Sequence, residues 1–128
     1  KELNLDIAII DKRRDKANES EAMNVIGNVK GKQCIIADDI VDTGGTLVKA
    51  ADALLKNGAE EVQAYITHGV LSNGGMKTIN ESSMGGLTIT NSIPQYDNKK
   101  IKVLSVSKLF AEAIRRVHHD ESISVLFE

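Results

Sequence analysis

Apolar positions along the chain fall into short continuous runs divided by polar turns, with two longer stretches in which they recur every three to four residues. LDIAIID (Leu5–Asp11) and QCIIAD (Gln33–Asp38) are almost unbroken, which predicts strands buried on both faces of a parallel sheet. EVQAYITH (Glu61–His68), GGLTITNSI (Gly85–Ile93) and KIKVLSV (Lys100–Val106) predict three more. In the second of these, Thr88 and Thr90 alternate with Leu87, Ile89 and Asn91. Helical spacing joins Leu47, Ala50, Ala51, Leu54 and Leu55 up to a closing Gly58, and joins Leu109, Phe110, Ala113, Ile114 and Val117 beside a Glu112–Arg116 pair at i,i+4. LSNGGMKTINES (Leu71–Ser82) reads as a turn and a short helix, and its Ser72–Gly75 tip is the one stretch that approaches low complexity. The charged segment Lys12–Asn24 has no apolar period and predicts a mobile loop before a turn at Asn28–Lys32. A loop of that length is often functional.

Strands that alternate with helices imply right-handed parallel crossovers in a layered α/β domain, with ligands bound outside the carboxyl ends of the strands. A length of 128 residues sets one domain as the expectation, and a composition of 41% hydrophobic and 27% charged residues is that of a soluble globular chain. The net charge of −2 gives no bulk attraction to nucleic acid or membrane, and four aromatic residues, Tyr65, Tyr96, Phe110 and Phe127, do not make a base-stacking platform. No apolar stretch approaches the roughly 18 residues of a membrane span, and no signal peptide is evident. Cys34 lies alone within an apolar run, so it forms no internal disulfide; it is expected as a buried, inert thiol, compatible with a reducing cytoplasmic home. His68, His118 and His119 lack metal-ligand spacing and read as surface or helix-end residues. Pro94 punctuates a loop.

The chemistry concentrates in DDIVDTGGT (Asp38–Thr46), where a strand ends and a helix begins. Amides from Asp42 to Thr46, freed by Gly44 and Gly45, point toward one spot at the positive end of a helix dipole, with Thr43 and Thr46 adding hydroxyl donors. That is a phosphate cradle, though no lysine follows the second glycine as it does in nucleotide-binding P-loops. Asp38 and Asp39 suit the other half of a sugar phosphate, because carboxylates accept hydrogen bonds from hydroxyls and, with a divalent metal, grip a polyol. The plainer reading is a helix start decorated with Asp, which favours that end of a helix.

IIADDIVDTGGT resembles the phosphoribosyl pyrophosphate motif of the type I phosphoribosyltransferase fold. The wider chain resembles the carboxyl-terminal domain of the ribose-phosphate pyrophosphokinase family through AIIDKRR (Ala8–Arg14), EAMNVIGNVKGK (Glu21–Lys32), YITHGVLS (Tyr65–Ser72), TNSIP (Thr90–Pro94) and KVLSVSKLFAEAIRRVHHDESISVLF (Lys102–Phe127). The resemblance covers nearly the whole chain. It implies a three-layer, mostly parallel, phosphoribosyltransferase-like domain. It also implies transfer of the diphosphoryl group of ATP to the anomeric hydroxyl of ribose 5-phosphate, with Mg²⁺, in a cytoplasmic hexamer. Asp38 would hold ribose hydroxyls with Asp39 in support, and Asp42, Thr43, Gly44, Gly45 and Thr46 would cradle the 5-phosphate. Lys12 and Arg14 match the basic residues of a flexible catalytic loop, where fixed positive charge would serve phosphoryl transfer. Ser122, Ser124 and Phe127 match a tail that helps build an inter-subunit phosphate or ADP regulatory site, although SISVLF reads equally as an edge strand.

Two local departures stand out: Asp15 replaces a proline common in relatives, and LSNGGMKTINES replaces a proline-containing version. The larger one is the family's amino-terminal domain, with most of the ATP site and a metal-binding histidine, which this sequence does not include. Nor does it include the strand and glycine-bearing pyrophosphate loop that precede the first run, so a piece of a subunit, inactive alone, is expected, and its start at Lys1 fits trimming. Two other readings stay open, a non-catalytic phosphoribosyl-binding regulatory subunit and a type I phosphoribosyltransferase. Lys12 and Arg14 argue against the first, and the scarcity of aromatic residues for a base pocket argues against the second.

Overall fold

The computed structural model describes residues 5–13 and 22–127. In chain order these form β1 (Ile9–Arg13), β2 (Ala22–Ile26), β3 (Gln33–Val41), α1 (Gly45–Lys56), β4 (Glu61–Gly69), α2 (Gly75–Glu81), β5 (Gly86–Thr90), β6 (Ile101–Leu104), α3 (Ser107–His118) and a 3₁₀ turn, Ser124–Leu126. The molecule is α/β. Strands β3 to β6 form one four-stranded sheet in sequence order, every pair parallel. The register opposes Cys34 to Val62, Ala64 to Leu87 and Leu87 to Ile101, so these residues share a face. α1 lays Leu47, Ala50, Ala51, Ala53 and Leu54 into the core and ends where the Ala59 amide donates to the Leu54 carbonyl past Gly58. Val62, Ala64, Ile66, Leu87, Ile89 and Ile101 are buried on the covered face, and Ile79 of α2 is buried with them. On the opposite face Ile35 and Tyr65 are exposed.

Several expectations need correction. Leu5–Asp11 is not a strand buried within the parallel sheet: its ordered part, β1, pairs antiparallel with β2 in a separate two-stranded sheet, and Leu5, Ile7 and Ile9 are exposed. An unbroken apolar run reports burial only where neighbours flank it on both faces, and here only Ile10 packs against the core cluster. The segment expected as a loop through Asn24 includes β2 from Ala22, whose Val25 also packs on that cluster. β3 likewise is not buried on both faces, because it forms one edge of its sheet and exposes Ile35 and Ile40. Cys34 is half-buried rather than sealed inside.

α3 forms as its periodicity predicts, but none of its residues is buried, and Phe110 is 58% exposed. Its polar side is tightly organised. Arg115 Nη2 reaches Glu112 and Glu121 at 2.9 Å each, and Arg116 Nε reaches Glu112 at 2.7 Å, the expected i,i+4 pair. The guanidinium of Arg115, joined by that of Arg116, holds the Glu112 carboxyl down at about 2. The tail is a 3₁₀ turn and not an edge strand.

Candidate functional site

β3 delivers Asp38 and Asp39 to the carboxyl end of the sheet, the chain turns through Asp42–Gly44, and α1 starts at Gly45. The turn depends on Gly44, whose φ of 78° lies in the left-handed region and whose carbonyl accepts from the Val48 amide at 2.9 Å. No side chain caps α1 and no acidic residue lies in its first turn, so the positive end of its dipole is neither screened nor neutralised by the helix itself. Asp38, Asp39, Asp42, Thr43 and Thr46 are all exposed, while Gly44 is buried beneath them. An uncapped helix start with carboxylates beside it is chemically suited to an anion that carries hydroxyls.

Within that set the aspartates differ. The Asp39 amide donates to Asp38 Oδ1 at 2.9 Å, which fixes the Asp38 side chain against its own backbone. The Asp42 carboxylate accepts a hydrogen bond from Ser72 Oγ. Asp42 is thereby tied to the loop that follows β4, where its charge is taken up beside the cradle.

That loop is the part sequence reasoning missed. A Cβ on Gly75 would stand 2.7 Å from the Asp42 carbonyl oxygen, so α2 begins in direct contact with the cradle backbone, and a Cβ on Gly44 would meet Ile79 Cδ1 at 3.1 Å. Leu71 and Asn73 adopt positive φ on the way in, and the Val70 amide donates to the Val41 carbonyl at 2.9 Å. Gln95 Nε2 then holds the Gly69 and Val70 carbonyls at 3.1 and 3.0 Å. The low-complexity tip at Ser72–Gly75 is thus a buttress. Its adjacent glycines were the available signal, since paired glycines in a turn mark close backbone approach.

His68 lies at the carboxyl end of β4, opposite Ile40 in register, and its Nδ1 is 2.9 Å from Ser92 Oγ. The basic residues expected to act on phosphates are placed less fully. Lys12 lies in β1 opposite Met23, and Arg14 lies outside the described residues. Ser122, Ser124 and Phe127 belong to the far end of the chain, where Arg116 Nη1 donates to the Ser122 carbonyl at 3.0 Å and the Ser124 amide to Ser122 Oγ at 3.2 Å; Phe127 is exposed. Among the described residues no group of three or more His, Cys, Asp or Glu side chains converges as a metal site, and no helix is long and apolar enough to cross a membrane.

The family profile of the phosphoribosyl synthetase-associated domain matches residues 5–128. The chain is 54% identical to a ribose-phosphate pyrophosphokinase of Campylobacter jejuni over 99% of its own length and 41% of that protein's. It is 55% identical to one of Caldanaerobacter subterraneus over 98% of its own length and 40% of that protein's. The crystal structure of phosphoribosylpyrophosphate synthetase from Mycobacterium smegmatis superposes with a TM-score of 0.79 at 36% identity, covering 88% of this chain and 37% of that one. The chain spans about two fifths of the length of the curated relatives it matches. With a match that runs through the cradle, its buttress and α3, the chain belongs to the phosphoribosyl synthetase-associated domain family.

Proposed function

We propose that this chain forms the ribose 5-phosphate-binding part of a ribose-phosphate diphosphokinase, an enzyme that transfers the diphosphoryl group of ATP to the sugar and releases AMP. The observation that carries the reading is the uncapped start of α1, set behind Thr43–Gly44–Gly45 and beside the paired carboxylates of Asp38 and Asp39. The names of relatives matched along nearly the whole chain support it.

In this reading the amides of Thr43–Thr46 take the 5-phosphate, and Asp38, steadied by the Asp39 amide, accepts from ribose hydroxyls. Asp42 shapes the loop through Ser72 and contributes its backbone. Lys12 and Arg14 supply positive charge where the polyphosphate of ATP gathers negative charge, which is the main contribution such transfers need from protein. The bond between the ribose 1-oxygen and the β-phosphorus forms as the β-phosphorus to bridging-oxygen bond breaks; AMP departs with that oxygen, and the hydroxyl proton goes to water. A carboxylate at this strand end, Asp38 foremost, would hold Mg²⁺, an ion usually held by one or two carboxylates plus substrate phosphates. When bound, the ion would neutralise phosphate charge. The same reading gives a cytoplasmic homo-oligomer, a hexamer, with Ser122, Ser124 and Phe127 in a phosphate- or ADP-responsive tail. Because the chain spans two fifths of its relatives, we expect it alone to bind the sugar weakly and to turn nothing over.

Isothermal titration of ribose 5-phosphate with Mg²⁺ into the chain tests this. Saturable binding that Asp38→Ala weakens by roughly 10- to 100-fold is expected, since a hydrogen bond to a charged group contributes about 1.5–3 kcal/mol. Binding indifferent to Asp38→Ala would remove the sugar from this strand end. AMP production from ATP and ribose 5-phosphate by the chain alone would refute the division of labour.

A further inference from the structure

Among the described residues, His68 at the carboxyl end of β4 takes its hydrogen-bond partner, Ser92, from the turn that follows the next strand over. Ser92 Oγ, its partner at 2.9 Å, also lies 3.1 Å from the Thr67 carbonyl. Thr90 Oγ1 lies 2.8 Å from that carbonyl and 2.9 Å from Ser92 Oγ. A carbonyl only accepts, and each hydroxyl has one proton to give. If Ser92 gave its proton to the imidazole, its close approach to the Thr67 oxygen would contain no hydrogen. If Ser92 donates to Thr67 instead, the imidazole must donate to Ser92, and one more contact is satisfied. In the neutral ring the network therefore selects the Nδ1–H tautomer of His68 and leaves Nε2 as an acceptor.

The ring is also in the right place. It is exposed, and side-chain alternation with the β3–β4 register puts it on the same face of the sheet as Asp38, which is one strand over and two residues back. Strand spacing and rise set their Cα atoms roughly 8 Å apart. A pentose is small enough to touch both groups, and its hydroxyls are donors that both would accept.

We infer that His68 is a further substrate-binding residue, its Nε2 accepting a hydrogen bond from a hydroxyl of the sugar phosphate held by the Asp38–Thr46 site. Ser92 is its positioning residue, acting only through the ring. The inference rests on the sugar-phosphate reading above and is tested separately from it.

Imidazole ¹⁵N shifts and backbone amide shifts of the intact chain, recorded together during titration with ribose 5-phosphate, read the two claims apart. In the free protein, His68 should show a protonated Nδ1 and an unprotonated Nε2. On titration, Nε2 should shift together with the amides of Thr43–Thr46. His68→Ala should bind about fivefold more weakly with an unchanged unfolding midpoint, as the loss of one neutral hydrogen bond implies. His68→Gln, which keeps an acceptor oxygen, should recover most of that loss. Cradle amides that move while Nε2 stays silent, or an Nε2–H ring in the free chain, would overturn the role of His68 and leave the cradle standing. Cradle amides that never move would overturn the sugar-phosphate reading, and the role of His68 with it.

Discussion

Gly44 and Gly45 sit side by side in the sequence and answer to opposite demands. Gly44 has a left-handed φ of 78°, and a Cβ there would press on Ile79 at 3.1 Å. Gly45 has helical geometry, and a Cβ there would meet nothing nearer than Thr43 Oγ1 at 4.0 Å. Gly44→Ala should therefore cost about 1–2 kcal/mol for its backbone alone, with the contact adding to it. Gly45→Ala should leave stability level or raise it by up to about 1 kcal/mol while, on the proposed reading, weakening ribose 5-phosphate by adding a methyl to the loop that would take its phosphate. Urea unfolding beside sugar-phosphate titration of both variants checks this; equal stability losses would mean the second glycine is kept for folding. The sequence made both glycines legible as a tight turn from strand into helix. It did not reveal that one of them also serves α2, since that contact joins residues more than thirty positions apart.

At the scale of elements, apolar runs marked five of the six strands among the described residues, the first of them in the wrong sheet, and helical spacing marked α1 and α3, while the turn chemistry of Leu71–Ser82 marked α2. Periodicity failed where burial is not what orders a segment. β2 is held by pairing with β1 and by Val25, and its neighbours are charged, so no period announces it. α3 shows the converse, a helix with a sound period and no buried residue, organised by its ion pairs instead. Their dependence on acid follows from Glu112. Its carboxyl is held at about 2 against an ordinary 4.5, chiefly by the Arg115 hydrogen bond and further by Arg116. A lowered folded value means the stabilisation is complete above 4.5 and drains away as pH falls toward 2. Carbon chemical shifts of α3 followed from pH 5 to 2 should show it fraying through that window, and Glu112→Gln should start frayed and change less. Identical profiles for both would remove Glu112 from the account.

At the scale of the whole molecule, most of the core lies on one face of the parallel sheet, while Leu109, Phe110, Ile114 and Val117 of α3 and Ile35 and Tyr65 of the opposite sheet face meet solvent. Exposed apolar area on this scale binds hydrophobic dyes. The folded chain should bind anilinonaphthalene sulfonate at neutral pH, and a Phe110→Lys/Ile114→Lys variant should lose much of that signal with little change in unfolding midpoint. Undiminished fluorescence would put the dye on the sheet instead. Among the described residues β3, the strand that carries Asp38 and Asp39, has a neighbour on one side only. The edge it leaves open belongs to the same strand as Asp38, so on the proposed reading sugar binding and edge pairing draw on the same nine residues. Any chain that closes this edge and steadies Asp38 must, by reciprocity, be held more tightly once the sugar is in place. On the proposed reading this strand end is then a coupling point, with ligand and added strand each reporting the presence of the other.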